Sequence, residues 1–526
     1  MHIDAKTLDN DSLIEGDICI VGAGAAGISI ALEWMNTPYK VILLEGGGFE
    51  YEDRIQELYS GKTTGQTYYP IKSSELHYFG GTTGHWGGMC SLFDPIAFKK
   101  RDWVNLSGWP ITQDDLIPFY QRAHINMDLP DYEYDIRAWQ KKDPSLITLP
   151  LDENVIWNKV WRFSGPARFG KKYKDTIVNA PNIHLHTYAN VVNIEANENV
   201  SSVKSVTIKN YTGKSHKVTA KKFIFACAGI QNARVLLASN KQAPKGFGND
   251  NDLVGRYFME HLEIKSGELW LKEENALKLY IAAAPRVQGE LAITAQKQEE
   301  YKILNGIVSF TPLEIAKKTP PYIQTWTSGD PLANQRQVDK ATWKAGGNRI
   351  TRFIDSFSSK KDLHQSFQMT IRLEQEPNPL SRVTLMAEKD ELGVPRAALN
   401  WAFTGLEKKS MIKIYEIIGQ QVGAAGIGRV KLMEELLDGR LDTVPGTTSG
   451  GWHHMGTTRM HNDPKFGVVN ADCKIHGIDN AYMAGASCFP TGAGVNPTLT
   501  VVALSIRLAD HLKENIKASP VALTGH

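Results

Sequence analysis

The run "GDICIVGAGAAGISIALEWMN" restricts what this chain can fold into more than any other stretch. An apolar strand over 18–21 runs into G-x-G-x-x-G, with Gly22, Gly24 and Gly27 as its glycines, and a helical pattern follows at once. A second apolar strand, "KVILLEGG", ends in Glu45, about 20 positions past the middle glycine. Each residue type has a physical task at its place. Gly22 permits a tight turn, Gly24 admits a pyrophosphate close to backbone N–H groups, and Gly27 lets the helix pack against the strand. The helix start offers unpaired amides and a positive dipole end to phosphates, and Glu45 supplies a carboxylate that accepts from ribose hydroxyls. A lone glycine spacing would mean only a close turn. Strand, helix, strand and acid together predict a parallel α/β unit that holds a dinucleotide, and the acid argues against a 2′-phosphate. The motif by itself leaves NAD and FAD open.

Composition removes several function classes. A chain of 526 residues has room for a large core and two structural regions. The net charge is +2 with both signs interspersed, which gives no reason to expect nucleic acid or an anionic membrane as partner. No window approaches 18 uninterrupted apolar residues, so no membrane span is expected. The N-terminal "MHIDAKTLDNDSLIEG" lacks a basic flank followed by an apolar stretch, so a cytoplasmic protein is expected, with export alongside a signal-bearing partner left open. The five cysteines, Cys19, Cys90, Cys227, Cys473 and Cys488, lie far apart with no C-x-x-C. An iron–sulfur cluster or structural zinc is therefore not expected, and buried free thiols in a reducing compartment are.

Three later segments bear on the choice of dinucleotide. "HYFGGTTGHWGGMC" is too glycine-dense for a helix or regular strand and reads as a loop whose backbone comes close to something flat. "KFIFACAGIQNARVLL" reads as a strand, a small-residue turn and a helix start, a second strand end for the same crevice. "NAYMAGASCFPTGAGVNPTLTVVALSIRLADHL" reads as a short strand, a Gly/Pro-rich turn and an amphipathic helix beginning near Pro497. That helix start suits an anion or an electron-rich ring edge.

Together the N-terminal fingerprint, "GGTTGHWGG", "HHMGTT" and "GVNPTLT" resemble the glucose–methanol–choline (GMC) oxidoreductases, which are FAD enzymes. Within that family the flavour is the bacterial sugar and glycoside dehydrogenase branch, glucoside 3-dehydrogenase-like, with pyranose 2-oxidase a more distant relative. The resemblance covers residues 17–109 and 451–512 and is patchy between them. It implies FAD, a Rossmann-like flavin domain interrupted by a substrate domain, and oxidation of an alcohol. The FAD-facing positions it implies are Gly22, Gly24, Gly27, Glu45, Gly81, Thr82, His85, Trp86, Gly87, Val192, Ala228, Gly229, Gly485, Ala486, Asn496, Pro497 and Thr498. His85 lines up with the histidine that carries a covalent flavin bond in pyranose 2-oxidase, whereas bacterial relatives share an "HW" loop with non-covalent FAD, so both readings stand. Trp86 reads as a packing residue beneath the loop.

The adjacent histidines of "GWHHMGTTRM" invite a metal reading. Neighbours in an extended segment point to opposite faces, so His453 and His454 cannot both face one ion. The nearest further candidates, His461 and Cys473, have no ligand spacing. In the family pattern H-x-x-G-T, His453 matches the catalytic histidine, with Gly456 and Thr457 completing the motif, and His454 is left to packing or a local hydrogen bond. Asn496 matches the second member of the family's active-site pair, which is histidine or asparagine. An asparagine before proline also suits a turn or helix entry. The chemistry explains the pairing. An alkoxide releases hydride far more readily than an alcohol, so a base must reach the hydroxyl. A neutral imidazole suits that task near neutral pH, and a carboxamide orients the hydroxyl without a charge of its own.

In the middle of the chain, "KSGELWLK", "ELAITAQ", "LNGIVSFTPL", "SFQMTIRLEQ" and "SRVTLMAE" predict one antiparallel sheet, and "EKKSMIKIYEIIGQQVGAAG" predicts a helix ending at glycines. The expected fold class is α/β plus α+β: a discontinuous FAD-binding domain over 1–110, 181–265 and 446–526, and an antiparallel-sheet substrate domain over 111–180 and 266–445. His261 of "VGRYFMEHL" reads as a structural histidine before a contact of the site, Glu374 and Arg382 equally as family site residues or a structural ion pair, and "FSGPARFGKKY" as a rim of the substrate entrance. The expected reaction is oxidation of a ring hydroxyl of a sugar or glycoside to a ketone, C3 before C2. The competing readings are a non-sugar alcohol as substrate, a lyase that keeps FAD structurally, an NAD-dependent dehydrogenase and a non-catalytic flavoprotein. The electron acceptor is left open among oxygen, a quinone and a partner subunit.

Overall fold

Ile18–Val21 is the strand around which the first sheet is arranged. The computed structural model describes residues 1–165, 167–272, 277–281, 287–313, 366–433 and 448–516. Six parallel strands lie in the order His2–Asp4, Ile183–Thr187, Val41–Leu44, Ile18–Val21, Lys222–Phe225 and Ala481–Met483. All residues of Ile18–Val21 and Val41–Leu44 are buried, which is why both read as unbroken apolar runs rather than alternating ones. The sequential neighbour of Ile18–Val21 lies on one side and Lys222–Phe225 on the other. The strand order therefore reverses there and opens a crevice at the carboxyl ends, the place where such sheets take ligands. The helix Ala25–Glu33 packs against the C-terminal helix Thr498–Asn515, which also receives Ile117–Asn126. Arg122 ties the three together by pairing with Glu33 and Asp510.

The second large sheet is antiparallel and runs Gly428–Leu432, Leu262–Leu271, Ser366–Leu373, Gly306–Pro312, Val287–Ile293, Ile156–Phe163 and Met89–Cys90, with Thr448–Gly450 alongside Leu262–Leu271. Four of the five runs expected to form one sheet are in it. The fifth is not: Arg382–Lys389 pairs with Pro395–Trp401 and, beyond that, Lys62–Gly65 in a separate three-stranded sheet. The cause is local. The Asp390 carboxylate accepts from the amides of Leu392 and Val394 and Gly393 takes φ +84, so the chain turns back on itself into a hairpin.

Alternation gives the antiparallel sheet two unlike faces. Phe367, Met369, Ile371 and Leu373 are buried, and Leu406–Ala424 packs over these strands. On the opposite face Glu263 stands beside Arg372 and Lys265 beside Thr370, and this face meets the crevice.

The expected Glu374–Arg382 pair does not form. Glu374 is held by Arg101 through two 2.8 Å bonds with both side chains fully buried, and Arg382 reaches Asp252 at 3.2 Å. A bidentate guanidinium satisfies a buried carboxylate better than a partly exposed one engaged elsewhere, and sequence proximity says nothing of a partner so far away. Arg101→Ala, which strands that carboxylate, is expected to cost roughly 3–5 kcal/mol, read as a lower denaturation midpoint. The double variant Arg101→Ala/Glu374→Gln should recover part of the loss.

Candidate active site

At the carboxyl end of Ile18–Val21 the crevice widens into a cavity of about 550 Å³. The three motif glycines sit in three different surroundings. Gly22 sits at φ +100, where a Cβ would stand 2.7 Å from the Ala226 carbonyl oxygen, and a Cβ on Gly27 would stand 1.9 Å from that of Gly22. A Cβ on Gly24 would meet nothing within 4 Å; it would project into the cavity. Ala25–Glu33 starts there with no side-chain cap, leaving its first amides to a ligand. Glu45 lies on the same wall, its carboxylate accepting from Gly47 N at 2.9 Å and Ala23 N at 3.2 Å, and burial pushes its pKa up to about 7.

The other expected positions meet around this space. Gly81, Thr82, His85, Trp86 and Gly87 of the glycine-dense loop line it, as do Val192, Ala228 and Gly229. Gly485, Ala486, Asn496, Pro497 and Thr498 close the far side. Gly27 alone of the expected set is off the wall, pressed between helix and strand. The loop is braced from outside: Trp86 Nε1 donates to Ala167 O at 2.8 Å, and Arg168 donates to Trp86 O at 2.7 Å. Ala167 and Arg168 of "FSGPARFGKKY", a segment expected at an entrance, thus hold the loop in place, and Trp86 lines the cavity with its indole N–H tied back. Thr498–Asn515 begins at Pro497 with no side-chain cap, a second open helix start facing the cavity. The start of Ala228–Ala238 is already occupied, because Glu75 accepts from Ile230 N at 2.8 Å and Gln231 N at 3.3 Å. Two uncapped helix starts, an open glycine and a buried acid fit a dinucleotide with a pyrophosphate and an electron-rich ring.

His453 and His454 enter the site through Trp452, which holds φ +57, an uncommon conformation for a bulky residue, and lies against Tyr69 with ring centroids 4.8 Å apart and planes tilted by 33°. The two imidazoles then part. His453 lies on the cavity wall with Nδ1 2.8 Å from His261 Nδ1, and its backbone N–H donates to Glu260 at 2.7 Å. Burial, then the nearby His261, Arg372 and His454, hold its pKa well below the ordinary histidine value. His454 is bound on both nitrogens: Nδ1 to Glu75 Oε1 at 2.7 Å and Nε2 to the Tyr68 hydroxyl at 2.8 Å. Tyr68 in turn donates to Glu260 Oε2 at 2.6 Å. Asn496 also lines the cavity. Its Nδ2 donates to Met89 O at 2.9 Å, and its buried Oδ1 has no partner among the described residues.

Four participants were not singled out, or were read as structural, from the sequence. His261, expected to be a structural histidine, touches His453 directly. Glu260 carries the backbone of that loop, and Glu75 and Tyr68 hold His454. The adjacent acid and imidazole in "FMEHL", set among apolar residues, were the only local signal for the first two. Glu75 and Tyr68 lie in a polar stretch that gives none. Among the described residues no helix is long and apolar enough to cross a membrane.

Residues 377–505, a span that contains His453 and Asn496, match the family described as GMC oxidoreductase. The chain is 24% identical to 2-methyl-1,2-propanediol dehydrogenase of Mycolicibacterium austroafricanum, over 94% of this chain and 95% of that one. It is 22% identical to 6'''-hydroxyparomomycin C oxidase of Streptomyces lividus, over 96% and 93% respectively. Among solved structures, pyridoxine 4-oxidase from Mesorbium loti shares the fold with a TM-score of 0.57 at 17% identity, covering 95% of this chain and 99% of that one.

Proposed function

We propose, from the match of residues 377–505 to the GMC oxidoreductase family and the geometry of the site, that the chain uses FAD to oxidise a ring hydroxyl of a sugar or glycoside to a ketone, at C3 before C2. The observation that carries this reading is the meeting of His453 and Asn496 on the wall of one cavity with the glycine turn and its uncapped helix start. FAD, when bound, supplies the oxidised ring that accepts the carbinol hydride.

The remaining work falls to the chain. His453, engaged through Nδ1, presents Nε2 as the base that takes the hydroxyl proton, and its depressed pKa keeps it neutral at working pH. Asn496, on the same wall and anchored through Nδ2 to Met89 O, is the carboxamide that orients the group bearing the proton. Glu263, Thr370 and Arg372 line the cavity on the antiparallel-sheet side, a polar wall suited to further hydroxyls. The names of two full-length relatives, one a diol dehydrogenase and one an oxidase of hydroxyparomomycin C, support a polyhydroxylated substrate. The C3 preference rests on the motif resemblance to the glycoside dehydrogenase branch. The flavin-holding unit is read as 1–110, 181–265 and 446–526 and the substrate half as 111–180 with 266–445, with Met89–Cys90 and the start of Leu262–Leu271 lent by the first to the antiparallel sheet of the second.

Anaerobic mixing of the FAD-loaded protein with monosaccharides, glycosides and simple alcohols tests the proposal. Pyranosides are expected to bleach the oxidised flavin and yield the 3-ketone. Bleaching by acyclic alcohols alone would overturn the sugar reading. Product formed while the flavin stays oxidised would make the protein a lyase.

A further inference from the structure

We propose that His261 is a positioning residue that fixes the tautomer of His453, so that the lone pair of the base stands on Nε2, toward the cavity. The inference deepens the proposed function and rests on His453 being its base.

The argument is a count of protons. His261 Nε2 lies 3.0 Å from Gly492 O and 2.8 Å from Ala493 O. Both oxygens can only accept, so that nitrogen carries the hydrogen. A neutral His261 therefore has its lone pair on Nδ1, which faces His453 Nδ1 across 2.8 Å. Two lone pairs cannot meet at that distance, so His453 bears its hydrogen on Nδ1 and donates it. Nε2 is left unprotonated, and among the described residues it has no protein partner. The reverse arrangement would set a bare His261 Nε2 against two carbonyl oxygens.

His261 keeps this role only while neutral, and its surroundings keep it so. It is fully buried, and burial together with Arg372 lowers its pKa to about 4, against the raising effect of the two carbonyls and Glu263. The groups facing His453 are His261 from the start of Leu262–Leu271, Arg372 from Ser366–Leu373 and His454 beside it in the chain, with Glu260 holding its amide. The bond also survives the reaction. When Nε2 takes the hydroxyl proton, Nδ1–H still donates to the same acceptor, so neither ring has to turn. His261 further links the loop of His453 to the turn that leads into Asn496, since its two carbonyl partners stand at 492 and 493. Loss of the correct tautomer in a hydrogen-bonded base has a large kinetic effect, up to about 10⁴-fold.

Two variants and one spectrum decide the matter. In His261→Asn the Oδ1 falls where the imidazole Nδ1 stands and still accepts; in His261→Leu nothing accepts. The FAD-loaded protein is labelled with ¹⁵N-histidine, and the His453 signals are identified by their absence in His453→Ala. Expected are an Nδ1–H tautomer for His453 in the wild type and in His261→Asn, and a mixture in His261→Leu. His261→Leu should reduce flavin about 10²–10⁴-fold more slowly with little change in substrate affinity, and His261→Asn should lose far less. An Nε2–H tautomer in the wild type overturns the inference, and so does wild-type flavin reduction by FAD-loaded His261→Leu. If His261→Leu fails to load FAD, the wild-type spectrum and His261→Asn decide, because loss of the Nδ1–H tautomer in the latter is equally fatal. Undiminished reduction by His453→Ala overturns the base assignment instead, while the wild-type tautomer stands as measured.

Discussion

Replacing His453 by alanine is expected to slow reduction of the bound flavin by substrate about 10²–10⁴-fold, the usual contribution of a positioned base, while FAD content stays normal. The two effects separate because different parts of the chain carry them. The dinucleotide is held by the Gly22–Gly27 turn, the starts of Ala25–Glu33 and Thr498–Asn515, and the braced glycine loop; none of these uses the His453 ring. The pH profile gives a second test. The competent form is the neutral imidazole, so activity is lost as pH falls through its pKa. Burial and the neighbouring His261, Arg372 and His454 lower that pKa, which moves the loss below the ordinary histidine value of about 6.5. The value of kcat/KM should therefore stay level from about pH 8 to pH 6. An acid limb centred at or above 6.5, or single-turnover reduction by His453→Ala at the wild-type rate, would remove the base assignment.

What the sequence disclosed and what it hid differ in range. The glycine motif was legible because its constraints act within a few residues: the turn at Gly22 and the contact of Gly27 with that turn follow from backbone sterics. The loop at Gly81–Gly87 and the turn before Thr498 were legible as chemistry, since runs so rich in glycine cannot fill a core. The placement of Arg382–Lys389 failed because alternation identifies a strand and is silent about its sheet, and the Asp390–Gly393 turn made the choice. The Glu374 pairing failed for the same reason, as its partner Arg101 is 273 positions away. The division of labour between the histidines was half visible. Their opposite orientation followed from the extended chain, but the partners of His454 lie 379 and 386 positions off, and nothing local marks them.

Those partners give His454 a charge that its neighbour must not have, and its removal is expected to be the most destabilising change near the site. Tyr68 has one hydroxyl hydrogen and donates it to Glu260, so its oxygen accepts from His454 Nε2; Glu75 accepts from Nδ1. Both nitrogens donate, which defines an imidazolium. Burial opposes that charge, but the Glu75 hydrogen bond and the charges of Glu75 and Glu260 outweigh it, and the pKa is raised. His454→Ala leaves Glu75 and Glu260, both fully buried, without their cation, at a cost of roughly 3–5 kcal/mol. The measurement is the unfolding temperature of the protein at saturating FAD, so that cofactor binding does not vary between variants. Removing a carboxylate as well, in His454→Ala/Glu75→Gln, should restore part of the loss, whereas an additive or larger loss would mean that His454 acts by packing alone. The pH dependence has a fixed sign. A histidine whose folded pKa is raised contributes fully below its unfolded value of about 6.5, and the contribution disappears as pH rises through the folded pKa. Wild-type stability should therefore fall on the alkaline side of about pH 6.5 by more than that of His454→Ala, and parallel curves for the two proteins would show that the buried histidine is neutral.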